Sequence, residues 1–216
     1  MIRNPHRGPP QQQSESPSFQ LANLYSSSTC YDTVLWLVWA GMSDGLGADP
    51  VKFIERHLGK FGLIFLILGL CVTPVRRLTG ISLIKYRRAV GLAAFAYVAL
   101  HLTVWLVLDI QLRWGEIWAD IVKRPYITIG MLGFAAMLPL ALTSNNLSVR
   151  RLGAAAWGRL HQLTYLAALA GAAHYLILVK AWPLKPILYF AAVALLLLVR
   201  LWWSWQKQRR LAGVAA

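Results

Sequence analysis

The sequence predicts an all-α membrane protein, a polytopic bundle of about six transmembrane helices. Three observations predict it. The 216 residues are 57% hydrophobic with a mean hydropathy of +0.51. Soluble domains are only about 45–50% apolar even with glycine counted. Charged residues make up 14% of the chain, against about 25% in a typical soluble domain. The apolar residues also fall into long runs separated by short basic segments, the pattern of spans and loops.

Taken in order, residues 1–30 are polar, with Pro5, Pro9, Pro10, a glutamine triplet and a serine cluster, and read as a disordered tail. No signal-peptide pattern of basic start, apolar run and cleavage site opens the chain. Residues 31–205 form the membrane domain and 206–216 a basic cytoplasmic tail, which leaves no room for a second soluble domain of about 100 residues. The first span is weak, because the run 34–42 is too short alone to cross a bilayer. The second span is 61–75, ended by Pro74 and the arginines after it. The third, 89–108, contains His101, and the fourth is 126–142. The fifth, 160–179, contains His161 and His174, and the sixth, 186–203, carries Arg200 near enough to its end to snorkel. Trp36, Trp39, Trp105, Trp182, Trp202, Trp203 and Trp205 fall near span ends, as an aromatic belt requires. Cys30 and Cys71 form no metal-like or redox motif, and Cys71 reads as a small packing residue.

The net charge is +14, from 22 basic and 8 acidic residues. The bases cluster in loops between apolar runs, so membrane topology accounts for them and nucleic acid is not an expected partner. The loop 74–88 holds Arg76, Arg77, Lys85, Arg87 and Arg88 without an acid, and the loop 144–159 holds Arg150, Arg151 and Arg159 without one. With Arg200, Lys207, Arg209 and Arg210, these segments are expected in the cytoplasm. Six spans then put both termini inside. Five spans, without the weak first one, put the N-terminal tail outside and leave the other loops unchanged.

Ionisable residues within spans are costly and point to function. His101 is twelve residues into the third span and His174 fourteen into the fifth. Both spans run from inside to outside, which places the two imidazoles at nearly one depth, roughly 18 and 21 Å up. A depth-matched pair on two helices suits bis-histidine ligation of one haem iron. The alternative is a hydrogen-bonded packing role. His161 lies thirteen residues before His174 and about 140° around a straight helix from it. It sits near the cytoplasmic interface, where a second haem or plain solvation both fit. No acid lies within spans two to six to continue a proton relay. His57 reads as solvated. Positive-inside topology alone accounts for Arg76, Arg77, Arg87 and Arg88, and the functional alternative pairs them with haem propionates or a flavin phosphate.

Several motifs occur in a telling order: GLGADP at 45–50, TPVRRL at 73–78, YRRAVGL at 86–92, LHLTVW at 100–105, KRPYITIG at 123–130, LTSN at 142–145, GRLHQLTYL at 158–166 and HYL at 174–176. Through them the chain, over about residues 34–205, closely resembles the MsrQ (YedZ) family. These are the haem-binding membrane subunits of the bacterial protein-methionine-sulfoxide reductase system, within the ferric-reductase-like transmembrane group. The resemblance implies a b-type cytochrome of the bacterial inner membrane, with His101, His161 and His174 matching the family's key histidines. It implies one or two haems b, FMN, quinol or a cytosolic flavin reductase as donor, and a periplasmic molybdopterin-containing methionine-sulfoxide reductase subunit as acceptor. The sulfoxide chemistry would belong to that partner. Distant relatives carry two histidines on the helix matching the third span. Here the positions fourteen before and after His101 are Arg87 and Gly115, so His161 lacks a partner histidine. Two other classes remain: a self-contained transmembrane metalloreductase, which needs flavin and nicotinamide domains that this length excludes, and a non-redox transporter or scaffold whose histidines only pack.

Overall fold

The computed structural model describes Asp32, residues 48–179, Ala181 and residues 183–214. The expected tail over 1–30, the weak span over 34–42 with Trp36 and Trp39, Cys30 and Trp182 all lie outside these residues.

Helix α1 runs Pro50–Thr79. Asp49 caps it, accepting from the Lys52 amide at 3.1 Å and pairing with the Lys52 ammonium at 3.2 Å. Those contacts hold the Asp49 carboxyl below the usual carboxylate range. Gly80 ends the helix in the left-handed region, at φ 75. The helix is thus twice as long as the 15-residue run 61–75, and Pro74 lies inside it instead of stopping it. The physical reason sits on another helix. Proline has no N–H, so the Leu70 carbonyl loses its partner one turn on. Arg200 supplies the missing donor, its Nη2 reaching Leu70 O at 2.5 Å and its Nη1 the Tyr165 hydroxyl at 3.1 Å. Arg200 therefore turns into the bundle and does not snorkel outward.

Helix α2 (Arg87–Val104) continues as a π-helical turn over Trp105–Asp109. Gln111 and Leu112, both left-handed at φ 55 and 57, then turn the chain into α3 (Trp114–Lys123). Helix α4 is Pro125–Leu142. Two short helices follow, α5 (Asn146–Leu152), capped by Asn145 through the Ser148 amide at 2.7 Å, and α6 (Ala154–Leu160). Helix α7 is Leu163–Leu178, and α8 is Leu184–Val214, which makes residues 206–214 a helical continuation of the last span.

Among the described residues, four segments are long and apolar enough to cross a membrane: Pro50–Thr79, Ile84–Asp109, Pro125–Leu142 and Leu184–Ala212. The expected fifth span is shortened at its start. His161 and Gln162 form a turn, and α7 starts only at Leu163, with 16 residues. His161 is consequently the C-cap of α6 and not a residue of α7.

The bundle rests on two antiparallel pairs, α1 with α2 and α4 with α7. Small residues let the backbones approach. A Cβ added at Gly62 would fall 2.6 Å from Val98 Cγ2, and one at Gly133 would lie 3.2 Å from Ala170 Cβ. Leu63, Leu66, Leu70, Ala94, Met137, Ala168 and Val193 form the shared core. Tyr97, 1% exposed, stacks on Phe65 at 5.3 Å.

Charge is segregated along the bundle. The basic segments expected to share one side do meet at one end. Arg88 donates to Asn146 Oδ1 at 2.9 Å, the Arg77 guanidinium lies 4.5 Å over the Trp203 ring, and Trp157 Nε1 donates to Thr143 O at 2.9 Å. The starts of α1, α4 and α8 lie at the other end.

The Pro74–Arg200 arrangement has a direct test. Arg200→Met leaves a buried carbonyl unpaired and is expected to cost about 1–3 kcal/mol. Pro74→Ala in the same chain restores an N–H to Leu70 O and should recover part of that loss. Thermal unfolding in detergent, followed by helical circular dichroism, measures both. Strictly additive effects of the two substitutions would sink the explanation.

Candidate functional site

His101 on α2 and His174 on α7 face each other, with ring centroids 6.2 Å apart and planes at 78°. The helix pairs that carry them are built alike. His101 Nδ1 donates to the Glu55 carbonyl of α1 at 2.9 Å, and His174 Nδ1 donates to the Tyr126 carbonyl of α4 at 2.7 Å. A carbonyl can only accept, so each Nδ1 carries the proton and each Nε2 keeps a free lone pair. That tautomer is the one an Nε2 metal ligand needs, and the second hydrogen bond fixes ring orientation.

Glycine makes the arrangement possible. Gly59 lies four residues after Glu55, and Gly130 four after Tyr126, so each ring lies over the turn whose carbonyl it binds. A Cβ at Gly59 would sit 3.2 Å from His101 Nδ1, and one at Gly130 only 2.8 Å from His174 Nδ1. Alanine at Gly130 would force the His174 ring to shift, and alanine at Gly59 would crowd the His101 ring. These two glycines belong to the candidate site and were missed by sequence reasoning. The available signal was a helical glycine on an earlier helix, Gly59 on α1 for His101 and Gly130 on α4 for His174.

The histidines line a cavity of about 930 Å³, with Gly59, Gly130, Gly133 and Gly171 on its walls. Its apolar part includes Leu63, Leu66, Val98, Phe134 and Met137. Its polar mouth, at the start of α1 and α8, holds Arg56, Lys60 and Lys185, beside Glu55 and Asp109. Lys52 and Arg124 reach it too, but pair with Asp49 and Asp120 at 3.2 Å each.

Haem fits this donor set. An imidazole–metal bond is about 2.0–2.1 Å, so two such bonds and two ring radii span roughly 6 Å, matching the centroid separation of 6.2 Å. The volume falls within the range of about 300–1,000 Å³ usual for ligand and cofactor sites. Apolar walls with cations at one end suit a macrocycle whose only charges are its propionates.

His161 is elsewhere. It precedes α7, and His174 lies eleven residues beyond Leu163, or about 16 Å by helical rise. Its ring stacks on Trp157 at 3.8 Å, and its Nε2 is buried without a hydrogen-bond partner among the described residues. Burial first, then the charges of Arg87 and Arg88, pull its pKa below the ordinary value. The ring keeps an unused buried nitrogen. The structure brings Arg87 and Arg88 to His161, and none of Arg76, Arg77, Arg87 and Arg88 lines the His101/His174 cavity. Propionates at that cavity would meet Arg56, Lys60 or Lys185 instead. His57 is not simply solvated, since it stacks on Phe53 at 4.9 Å and lies 5.5 Å from Phe61.

An all-helical membrane domain with facing histidines in an apolar cavity is the architecture of a membrane haem carrier. The chain matches the family model described as ferric reductase like transmembrane component over residues 58–172. It is 53% identical over 167 residues to the protein-methionine-sulfoxide reductase heme-binding subunit MsrQ of Brucella ovis, covering 77% of this chain and 76% of the relative. The subunit of the same name from Brucella abortus matches equally, and that of Caulobacter vibrioides is 48% identical over 174 residues, covering 80% and 83%. The chain belongs to the MsrQ family of ferric-reductase-like membrane proteins.

The glycine contacts grade the expected effect of two substitutions. Gly130→Ala should lower the haem-to-protein ratio more than Gly59→Ala, because its Cβ intrudes further on the histidine. The pyridine haemochrome assay on purified protein measures the ratio. Equal and full haem content in both variants would remove the glycines from the site.

Proposed function

We propose that this chain is a b-type cytochrome of the bacterial inner membrane. In this reading it carries electrons from a cytoplasmic-side donor, quinol or a flavin reductase, to a periplasmic molybdopterin-containing methionine-sulfoxide reductase subunit. The observation that carries the proposal is the His101–His174 pair, with both Nδ1 protons committed to carbonyls and both Nε2 lone pairs free. Haem would supply reversible one-electron chemistry at that point. The relatives' printed names support both the haem and the reductase partnership.

The chain's residues divide the work. His101 and His174 are the proposed axial ligands, and the Glu55 and Tyr126 carbonyls strengthen and orient them. Arg56 at the mouth is the proposed propionate partner. Glycine and apolar side chains keep water from the iron site. Basic loops at 74–88 and 144–159 and the C-terminus face the cytoplasm in this reading, because they carry bases without acids. With the span over 34–42 counted, both termini are cytoplasmic. His161 is the proposed contact of a second redox group, a second haem b or FMN, at the cytoplasmic end. Its orphaned Nε2 and the neighbouring Arg87 and Arg88 support that role. Residues 1–30 as tail, 31–205 as haem-binding membrane domain and 206–216 as basic end complete the organisation proposed.

Two experiments test the reading. His101→Ala and His174→Ala should each abolish the same Soret and α bands, since either removes one axial ligand of one iron. Loss of different fractions of haem would break the pair. His161→Ala should leave those bands in place but slow their appearance when the cytoplasmic donor is added, in stopped-flow absorbance on oriented vesicles. Wild-type reduction rates at unchanged haem content would return His161 to an interface residue stacked on Trp157.

A further inference from the structure

Helix α3 has no place in the haem site or among the spans. It joins the end of one span at Asp109 to the start of the next at Pro125, so it begins and ends on one side of the membrane. Its ten residues rise only about 15 Å, half a hydrocarbon core. Its faces differ sharply. Ile117 is 7% exposed and packs with Trp105 and Ile127, whereas Trp114, Trp118 and Val122 are 73%, 70% and 66% exposed. These three recur every fourth residue and form one stripe. At about 100° per residue, Glu116 and Lys123 lie nearly opposite Trp114. The flanks fix that polar side, Arg113 pairing with Glu116 at 3.0 Å and Arg124 with Asp120 at 3.2 Å.

We propose that α3 is an in-plane membrane anchor, its Trp114–Trp118–Val122 stripe inserted in the interfacial layer of the bilayer at the end where the histidine cavity opens. The occupant of the stripe is lipid. Indoles are the side chains that favour the headgroup level, apolar body toward the chains and N–H toward water. A short helix with segregated faces lies along that layer. Spans on both sides hold α3 at the membrane surface. Beneath it, Ile117 touches Trp105 and Ile127, which line the haem cavity, so the anchor braces the cavity wall against the bilayer.

The test uses the full chain in nanodiscs of phosphatidylcholine and phosphatidylglycerol, with Cys30→Ser and Cys71→Ala as background. A nitroxide is placed at Trp118→Cys or, on the opposite face, at Glu116→Cys, and collision with oxygen and with a water-soluble nickel chelate is read by electron paramagnetic resonance. The expected oxygen-to-nickel ratio is at least about threefold higher at 118 than at 116, with 118 at the depth of the acyl boundary. Val122→Cys repeats the measurement on the same stripe should Trp118→Cys misfold, judged by circular dichroism. Equal nickel access at both faces would put the stripe in water and overturn the proposal. Shielding of 118 from oxygen and nickel alike would also overturn it, by showing a protein surface over the stripe.

Discussion

Each histidine of the central pair is held by a main-chain carbonyl that already belongs to a helix. The ring reaches that carbonyl because the residue one turn further along is glycine. This contact ties the site to helix packing. The distance from α1 to α2 sets where His101 points, and the distance from α4 to α7 sets where His174 points. A carbonyl acceptor cannot be removed by substitution, so the arrangement tolerates changes of Glu55 or Tyr126 side chains better than an added methyl at Gly59 or Gly130. The same bond raises the basicity of the free nitrogen. Packing, tautomer and ligand strength are therefore one property of the two helix pairs.

Other polar donors of the bundle also use backbone carbonyls. Arg200 donates to Leu70 O, and Trp157 to Thr143 O. No carboxylate pairs with Arg200 among the described residues. In a medium without water polar groups need internal partners; backbone carbonyls supply them to Arg200 Nη2 and Trp157 Nε1, while Arg200 Nε and His161 Nε2 find none among the described residues. Between residues 48 and 214 the described carboxylates lie at the cavity mouth and on α3, mixed with bases, while the opposite end carries bases without acids.

Much of this was legible in the sequence. Apolar runs located the long helices, though not α3, α5 and α6, and loop charge with helical rise put His101 and His174 at one depth, which the structure realises as facing rings. Two boundaries were not legible. Pro74 reads as a helix end because its missing N–H normally stops a helix, and only a residue 126 positions away, Arg200, reverses that. The run 160–179 reads as one helix, since nothing in its hydropathy marks the turn at His161 and Gln162. The glycine contacts were hidden for a related reason. A helical glycine signals close approach, but which ring approaches is a matter of three-dimensional pairing. Charge density singled out Arg76, Arg77, Arg87 and Arg88 for haem propionates or a flavin phosphate; none of them lines the His101/His174 cavity, whose mouth holds Arg56 instead.

The brevity of α7 has a consequence for the lipid around it. Sixteen residues extend about 24 Å, some 6 Å less than an average hydrocarbon core. Leu166, Leu169 and Ile177 on this helix are exposed, so acyl chains touch it directly. Such a shortfall is met by local thinning of the bilayer, at a fraction of a kcal/mol per ångström. In a bilayer of average thickness, thinning is expected at α7 first, along the helix that carries His174 and is preceded by His161. Bilayer thickness thereby becomes a variable of the protein itself: a thicker membrane loads α7 before it strains the longer helices.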